Sequence, residues 1–200
     1  MLIDNARFSE DLDFTVLDGT ENEIQTELKR LLDGRELLGV RFEALKQEKT
    51  NAGLRAALKF SAFLEHSQRI RFDFSFRKNL ALKPVEMQVF DDYVLGNASM
   101  LVMPLEELLA EKIHAAFSRT VARDLYDLWF LLKNGVKTNM TMLEQKFSYY
   151  HERYEPEKLT QKLDAFKLKW QRELEQFTPT LPEFDPLAKE TLKLLAKAIE

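Results

Sequence analysis

The chain has 200 residues, no cysteine and a formal charge of -4, which excludes disulfides and thiolate metal sites and removes any bulk electrostatic attraction for nucleic acid, so such a contact would need a local basic patch. With 45% hydrophobic residues, fifteen Phe and six Gly, the composition supports a packed globule rather than a disordered chain, either one generous domain or one with a helical appendage. No apolar run reaches the length of a membrane span and the first seven residues carry no signal-peptide stretch, so a cytoplasmic protein without membrane contact is expected.

The first third reads as β-rich with one helix. Residues 11–17 (DLDFTVL) predict a short strand. Ile24, Leu28, Leu31 and Leu32 recur at helical spacing and predict a helix over 21–32, ending near Asp33-Gly34. Loose alternation predicts strands over 38–49 and 54–63, joined by a turn at Thr50-Asn51-Ala52-Gly53. The clearest strand is 69–77 (RIRFDFSFR). Successive strand side chains alternate, so Ile70, Phe72, Phe74 and Phe76 share one face and Arg69, Arg71, Asp73, Ser75 and Arg77 the other. Residues 85–90 add a further strand. From about residue 103 the period becomes helical, with helices expected over 104–118, 122–133, 139–153, 157–176 and 185–199. Pro104 suits a first helical position, and Pro179, Pro182 and Pro186 mark a linker before the last helix. The expected fold is α+β: a mixed β-sheet with a helix over residues 1–100, followed by a helical region over 101–200.

Three groups of residues carry chemistry. Asp11 and Asp13 are two apart, so on a strand both carboxylates project from one face; they repel unless a cation lies between them, and a hard divalent ion such as Mg²⁺ resolves the conflict. The alternative is a solvated polar face on an edge strand. Asp73 lies on the polar face of the strand over 69–77, where it offers a third carboxylate for a metal pair or an ion pair with Arg71 or Arg77. Lys112 falls within an apolar helical stripe with Leu105, Leu108, Leu109 and Ala116, so its ammonium must either escape to water or meet an anion such as a triphosphate. Asp124 and Asp127, three apart on the next helix, share a face with Arg123 and Arg119 nearby; they can orient Lys112 or an arginine, approach the metal, or form a charge network between the helices. His66, His114 and His151 have no partner at metal-ligand spacing and read as structural or surface residues. The aromatic run Phe147, Tyr149, Tyr150 and Tyr154 reads as helix packing, and the basic segment 158–172 as a solvated face or a nucleic-acid contact.

The phrases RFSEDLDF, RIRFDFSF and PLEELLAEKIHAAFSRTVARDLYDLWFLL, in that order over residues 6–133, resemble the AbiEii/AbiGii toxin family of nucleotidyltransferases. The resemblance implies a polymerase-β-like nucleotidyltransferase fold and a Mg²⁺- or Mn²⁺-dependent toxin of a toxin–antitoxin or phage-defence system, encoded beside a cognate antitoxin. Such a protein transfers a nucleotide from an NTP to an RNA (tRNA-like) or protein acceptor. On that resemblance Asp11, Asp13 and Asp73 are the metal carboxylates. Ser9, Lys112 and Arg123 contact the nucleotide, and Asp73, Lys112, Asp127 and Asp124 form the catalytic set. Family members carry a Gly-Gly-Thr or Gly-Ser motif before the aspartate pair, whose backbone N–H groups cradle the triphosphate. Only ten residues precede Asp11 and none of them forms that motif, so the chain is expected to begin inside the usual domain. The alternative function is therefore a catalytically inactive relative that acts as a protein-binding module. A kinase-like transfer of the terminal phosphate would use the same residues.

Overall fold

A computed structural model describes the backbone of residues 7–9, 11–51, 53–61, 67–89 and 98–199. The chain divides into two units, one running Ser9–Lys78 and the other taking Asn79 onward together with the residues up to Phe8.

The first unit is a five-stranded mixed sheet with one helix. Its elements are β1 (Asp11–Thr15), α1 (Glu21–Leu32), β2 (Glu36–Leu37), β3 (Val40–Thr50), β4 (Gly53–Ser61) and β5 (Gln68–Ser75), in the spatial order β1-β5-β4-β3-β2. β1 runs parallel to β5, and every other pairing is antiparallel. The alternation read from the sequence governs both faces. On one face Phe14 stacks on Phe74 with centroids 5.1 Å apart, and Leu54, Ala56 and Leu58 of the central strand β4 are fully buried. The same alternation sends the charged residues of β1 and β5 to the opposite face. Helix α1 opens on a capping box in which the Thr20 hydroxyl accepts from the Glu23 amide and the Glu23 carboxylate accepts from the Thr20 amide. Ile24, Leu28 and Leu32 are half-buried, whereas Leu31, placed in the stripe by its spacing, is 48% exposed. Gln47 and Lys49 of β3 bind the Gln25 carbonyl and the Glu21 carboxylate of α1.

The second unit holds a two-stranded antiparallel sheet, β6 (Val85–Val89) with β7 (Ala98–Val102), and the helices α2 (Leu105–Ser118), α3 (Ala122–Lys133), α4 (Met140–Tyr149), α5 (Glu157–Gln161), α6 (Leu163–Leu174) and α7 (Phe184–Ala198). Its core is built from apolar residues of the helices, with Leu109, Ile113, Leu125, Leu128, Leu143, Phe147, Phe166 and Leu174 fully buried. Among the described residues no helix is long and apolar enough to cross a membrane.

Several elements differ from the sequence reading. Strand β7 was not foreseen, because five residues ahead of Pro104 carry too little alternation to register as a strand. The helix expected over 139–153 stops at Tyr149, and His151 takes a left-handed φ of 58°. The His151 amide donates to the Ser148 carbonyl and the Glu152 amide to the Phe147 carbonyl, the paired bonds of a Schellman closure. A histidine fills the place usually held by glycine, so the stop carried no sequence signal. The helix expected over 157–176 is two helices, because the Lys162 amide bonds Leu159 three residues back in a tightened turn. The expectations for Glu10, Ala52, residues 62–63, His66 and Phe90 lie outside the described residues.

Candidate active site

In the sheet unit, hydrogen-bond register decides which side chains share a row. Asp13 is directly opposite Asp73 across β1 and β5, and Asp73 is directly opposite Arg55 across β5 and β4. One step along, Asp11 is opposite Arg71. Opposed residues on neighbouring strands point to the same face, as do residues two apart. Asp11, Asp13, Asp73, Arg55 and Arg71 therefore share a face. The Arg71 Nε donates to Asp11 Oδ1 at 2.6 Å, and the Arg55 Nε donates to Asp73 Oδ1 at 2.8 Å. Asp73 thus pairs with Arg55 of the neighbouring strand. The carboxylate beside it raises the Arg55 pKa further above its ordinary value. The Ser9 hydroxyl donates to the Asp11 carbonyl at 3.0 Å, a local bond at the entry to β1.

A divalent ion suits the donor chemistry of this face. It needs oxygen ligands, and Asp11 and Asp73 already hold cationic groups on carboxylate oxygens. As the side chains stand, among the described residues no three carboxylates or imidazoles are grouped to hold one ion. Arginines are on one oxygen of Asp11 and one of Asp73.

In the helical unit, Lys112 of α2 meets Asp127 of α3, with Nζ donating to Oδ2 at 2.7 Å. Arg7 grips the same carboxylate with two bonds, Nε to Oδ1 at 2.7 Å and Nη2 to Oδ2 at 2.9 Å. The Arg7 Nη1 also donates to the Phe8 carbonyl, and the Phe8 amide donates to the Phe177 carbonyl at 2.8 Å, which fixes this backbone. Burial pushes the Asp127 pKa up, but the hydrogen bonds and charges of Arg7 and Lys112 outweigh it and hold the group below its ordinary value. The lysine in the apolar stripe is thus answered by a carboxylate on the neighbouring helix. Asp124, buried on the same helix, serves another partner: Arg119 donates to its two oxygens at 2.7 and 2.9 Å and closes the corner between α2 and α3. Arg123 lies over the Phe177 ring, 5.0 Å from its centroid.

Sequence reasoning overlooked Arg7, although it opens the first motif, because an arginine outside a helix or strand pattern has no periodicity to place it. It also overlooked a buried cluster around Lys146, which is 1% exposed. Its ammonium donates to Glu107, to Glu111 at 2.8 Å and to the Asn79 carbonyl, while Glu107 accepts from the Ala81 and Leu82 amides. The i, i+4 spacing of Glu107 and Glu111 was the available signal. The basic segment is not simply solvated. The Lys162 ammonium donates to the Ala116, Phe117 and Arg119 carbonyls at the end of α2, Lys169 donates to the Thr120 carbonyl, and Lys167 pairs with Asp185. His114 stacks on Tyr150 and bonds the Ser118 hydroxyl, and burial pushes its pKa down despite Glu152 nearby.

A mixed sheet followed by a helical unit places the chain in a class by its fold, which is similar to that of a nucleotidyltransferase toxin. It is similar to MenT4, a nucleotidyltransferase toxin from Mycobacterium tuberculosis, with a TM-score of 0.67 at 19% identity over 96% of this chain and 68% of that one. No curated protein sequence matches the chain. A family model described as "Nucleotidyl transferase AbiEii toxin, Type IV TA system" matches residues 1–193, and the chain belongs to that family.

Proposed function

We propose that this chain is a divalent-metal-dependent nucleotidyltransferase that moves a nucleotide from an NTP to an RNA acceptor of tRNA type, and that a cognate antitoxin restrains it. The reading rests on one observation: Asp13 and Asp73 oppose each other on parallel strands with Asp11 on the same face, in a chain of this family. Asp11, Asp13 and Asp73 would hold Mg²⁺ or Mn²⁺. When bound, the ion supplies charge stabilisation at the reacting phosphate and the departing pyrophosphate. The acceptor hydroxyl bonds to the α-phosphorus, the bond from that phosphorus to pyrophosphate breaks, and Asp73 takes the hydroxyl proton. Lys112 holds phosphate oxygens, and Asp127, itself fixed by the planar fork of Arg7, aims it. Ser9 and Arg123 are further nucleotide contacts. Asp124 is a positioning residue, acting through Arg119.

The test incubates total tRNA with each labelled NTP and Mg²⁺ or Mn²⁺. Label is expected in RNA for at least one nucleotide, and Asp11→Ala is expected to reduce it by roughly a hundredfold or more. Label appearing only in protein would move the acceptor to a polypeptide. No labelled product from wild type, or equal labelling by the variant, rejects the proposal.

A further inference from the structure

On the sheet, the ligand oxygens of the proposed metal site are already in use. The Arg71 guanidinium lies 2.6 Å from Asp11 and that of Arg55 lies 2.8 Å from Asp73. Both arginines stand in register with the aspartates rather than reaching in from a distant loop. Arg55 continues the Asp13–Asp73 row, and Arg71 faces Asp11 across the strands. Their side chains are about half exposed, 50% for Arg55 and 45% for Arg71, so solvent and solutes reach them. Neither is buried in a way that would demand the pairing for folding, and exposed ion pairs contribute little to stability.

We propose that Arg55 and Arg71 are phosphate-binding residues of this site, parked on Asp73 and Asp11 until a divalent ion and a triphosphate arrive together. The inference rests on the nucleotidyl-transfer reading above. A divalent ion held by Asp11 and Asp73 would compete with the guanidinium groups for those two carboxylates. Arriving alone, it leaves two displaced cations beside a third, a like-charge arrangement that disfavours its own binding. A triphosphate removes the conflict. The planar guanidinium fork fits two phosphate oxygens as well as two carboxylate oxygens, so each arginine exchanges one anion for another without losing its bonds. Metal and polyphosphate binding are therefore coupled, each strengthening the other.

The coupling makes the two affinities move in opposite directions when an arginine is removed, which a merely structural ion pair would not do. Mn²⁺ binding to the full chain is followed by the paramagnetic signal of the free ion, without nucleotide. Binding of inorganic tripolyphosphate is followed by calorimetry at saturating Mg²⁺, a probe that avoids choosing a base. For Arg55→Gln and Arg71→Gln, Mn²⁺ is expected to bind about threefold to tenfold more tightly than to wild type, and tripolyphosphate about tenfold more weakly. Arg55→Lys is expected to recover part of the tripolyphosphate affinity, because it restores the charge but not the fork. If wild type binds both probes and the glutamine variants match it, or lose both affinities together, the arginine proposal is overturned while the transferase reading stands. If wild type binds neither probe, both fall.

Discussion

Asp127 is the residue on which the ion pairs of α2 and α3 with Arg7 turn. One carboxylate accepts from Arg7 and from Lys112, and its pKa is held below an ordinary value near 3.8 by those two cations against the opposing effect of burial. A depressed carboxylate contributes stability that is complete above its unfolded value and is lost as pH falls through the folded one. Asp127→Asn keeps the shape and removes the charge. It is expected to destabilise the protein by about 2 kcal/mol at neutral pH in urea unfolding, because two partly buried cations lose their anion. The gap between wild type and variant is expected to shrink in acid below the usual carboxylate range, where the wild-type group is protonated too. A gap that is constant with pH would show that the carboxylate's charge is not what stabilises Arg7 and Lys112. The same residue shows how far sequence reasoning reaches. The spacing of Asp124 and Asp127 put both on one helical face, but could not tell that one serves Arg119 and the other Lys112 and Arg7. That choice is made by tertiary packing.

At the scale of elements, two backbone positions with positive φ make opposite predictions. Gly53 opens β4 at φ 154°, and a Cβ placed there would lie 2.0 Å from the Phe74 carbonyl oxygen. Phe74 adjoins Asp73 on β5, so the clash would push β4, which carries Arg55, away from the strand that presents Asp73. Gly53→Ala is expected to lower stability by at least about 2 kcal/mol. His151 has the converse problem: its side chain sits on a left-handed backbone at the end of α4 that glycine adopts without strain. His151→Gly is expected to raise stability by about 0.5–1 kcal/mol. Thermal melts of the two variants check both signs. The strand expected over 69–77 was legible from its alternation and is β5 (Gln68–Ser75) in the structure. The end of α4, the break at Lys162 and strand β7 were not, since each depends on a backbone turn or a partner that leaves no periodic trace.

For the whole molecule, family and fold were legible from three phrases in fixed order, and the family match over residues 1–193 and the likeness to MenT4 agree with them. The aspartate strands were legible because a two-residue period is written directly in the sequence. The arginines opposite them were not, because strand order β1-β5-β4 and its register are set by long-range pairing, so Arg55 could not be placed beside Asp73 in advance. The net charge of -4 gave no reason to expect RNA binding, and the lysines Lys162, Lys167 and Lys169 of the basic segment are engaged within the chain. The most direct test of the central claim, that the acidic row on β1 and β5 drives nucleotide transfer with a divalent ion, is to follow the small-molecule product of NTP turnover in wild type and Asp13→Asn, with Mg²⁺ and with chelator. The account predicts pyrophosphate, formed only with metal and reduced about a hundredfold or more in the variant. Nucleoside diphosphate as the product, or pyrophosphate formed equally by Asp13→Asn, would contradict it.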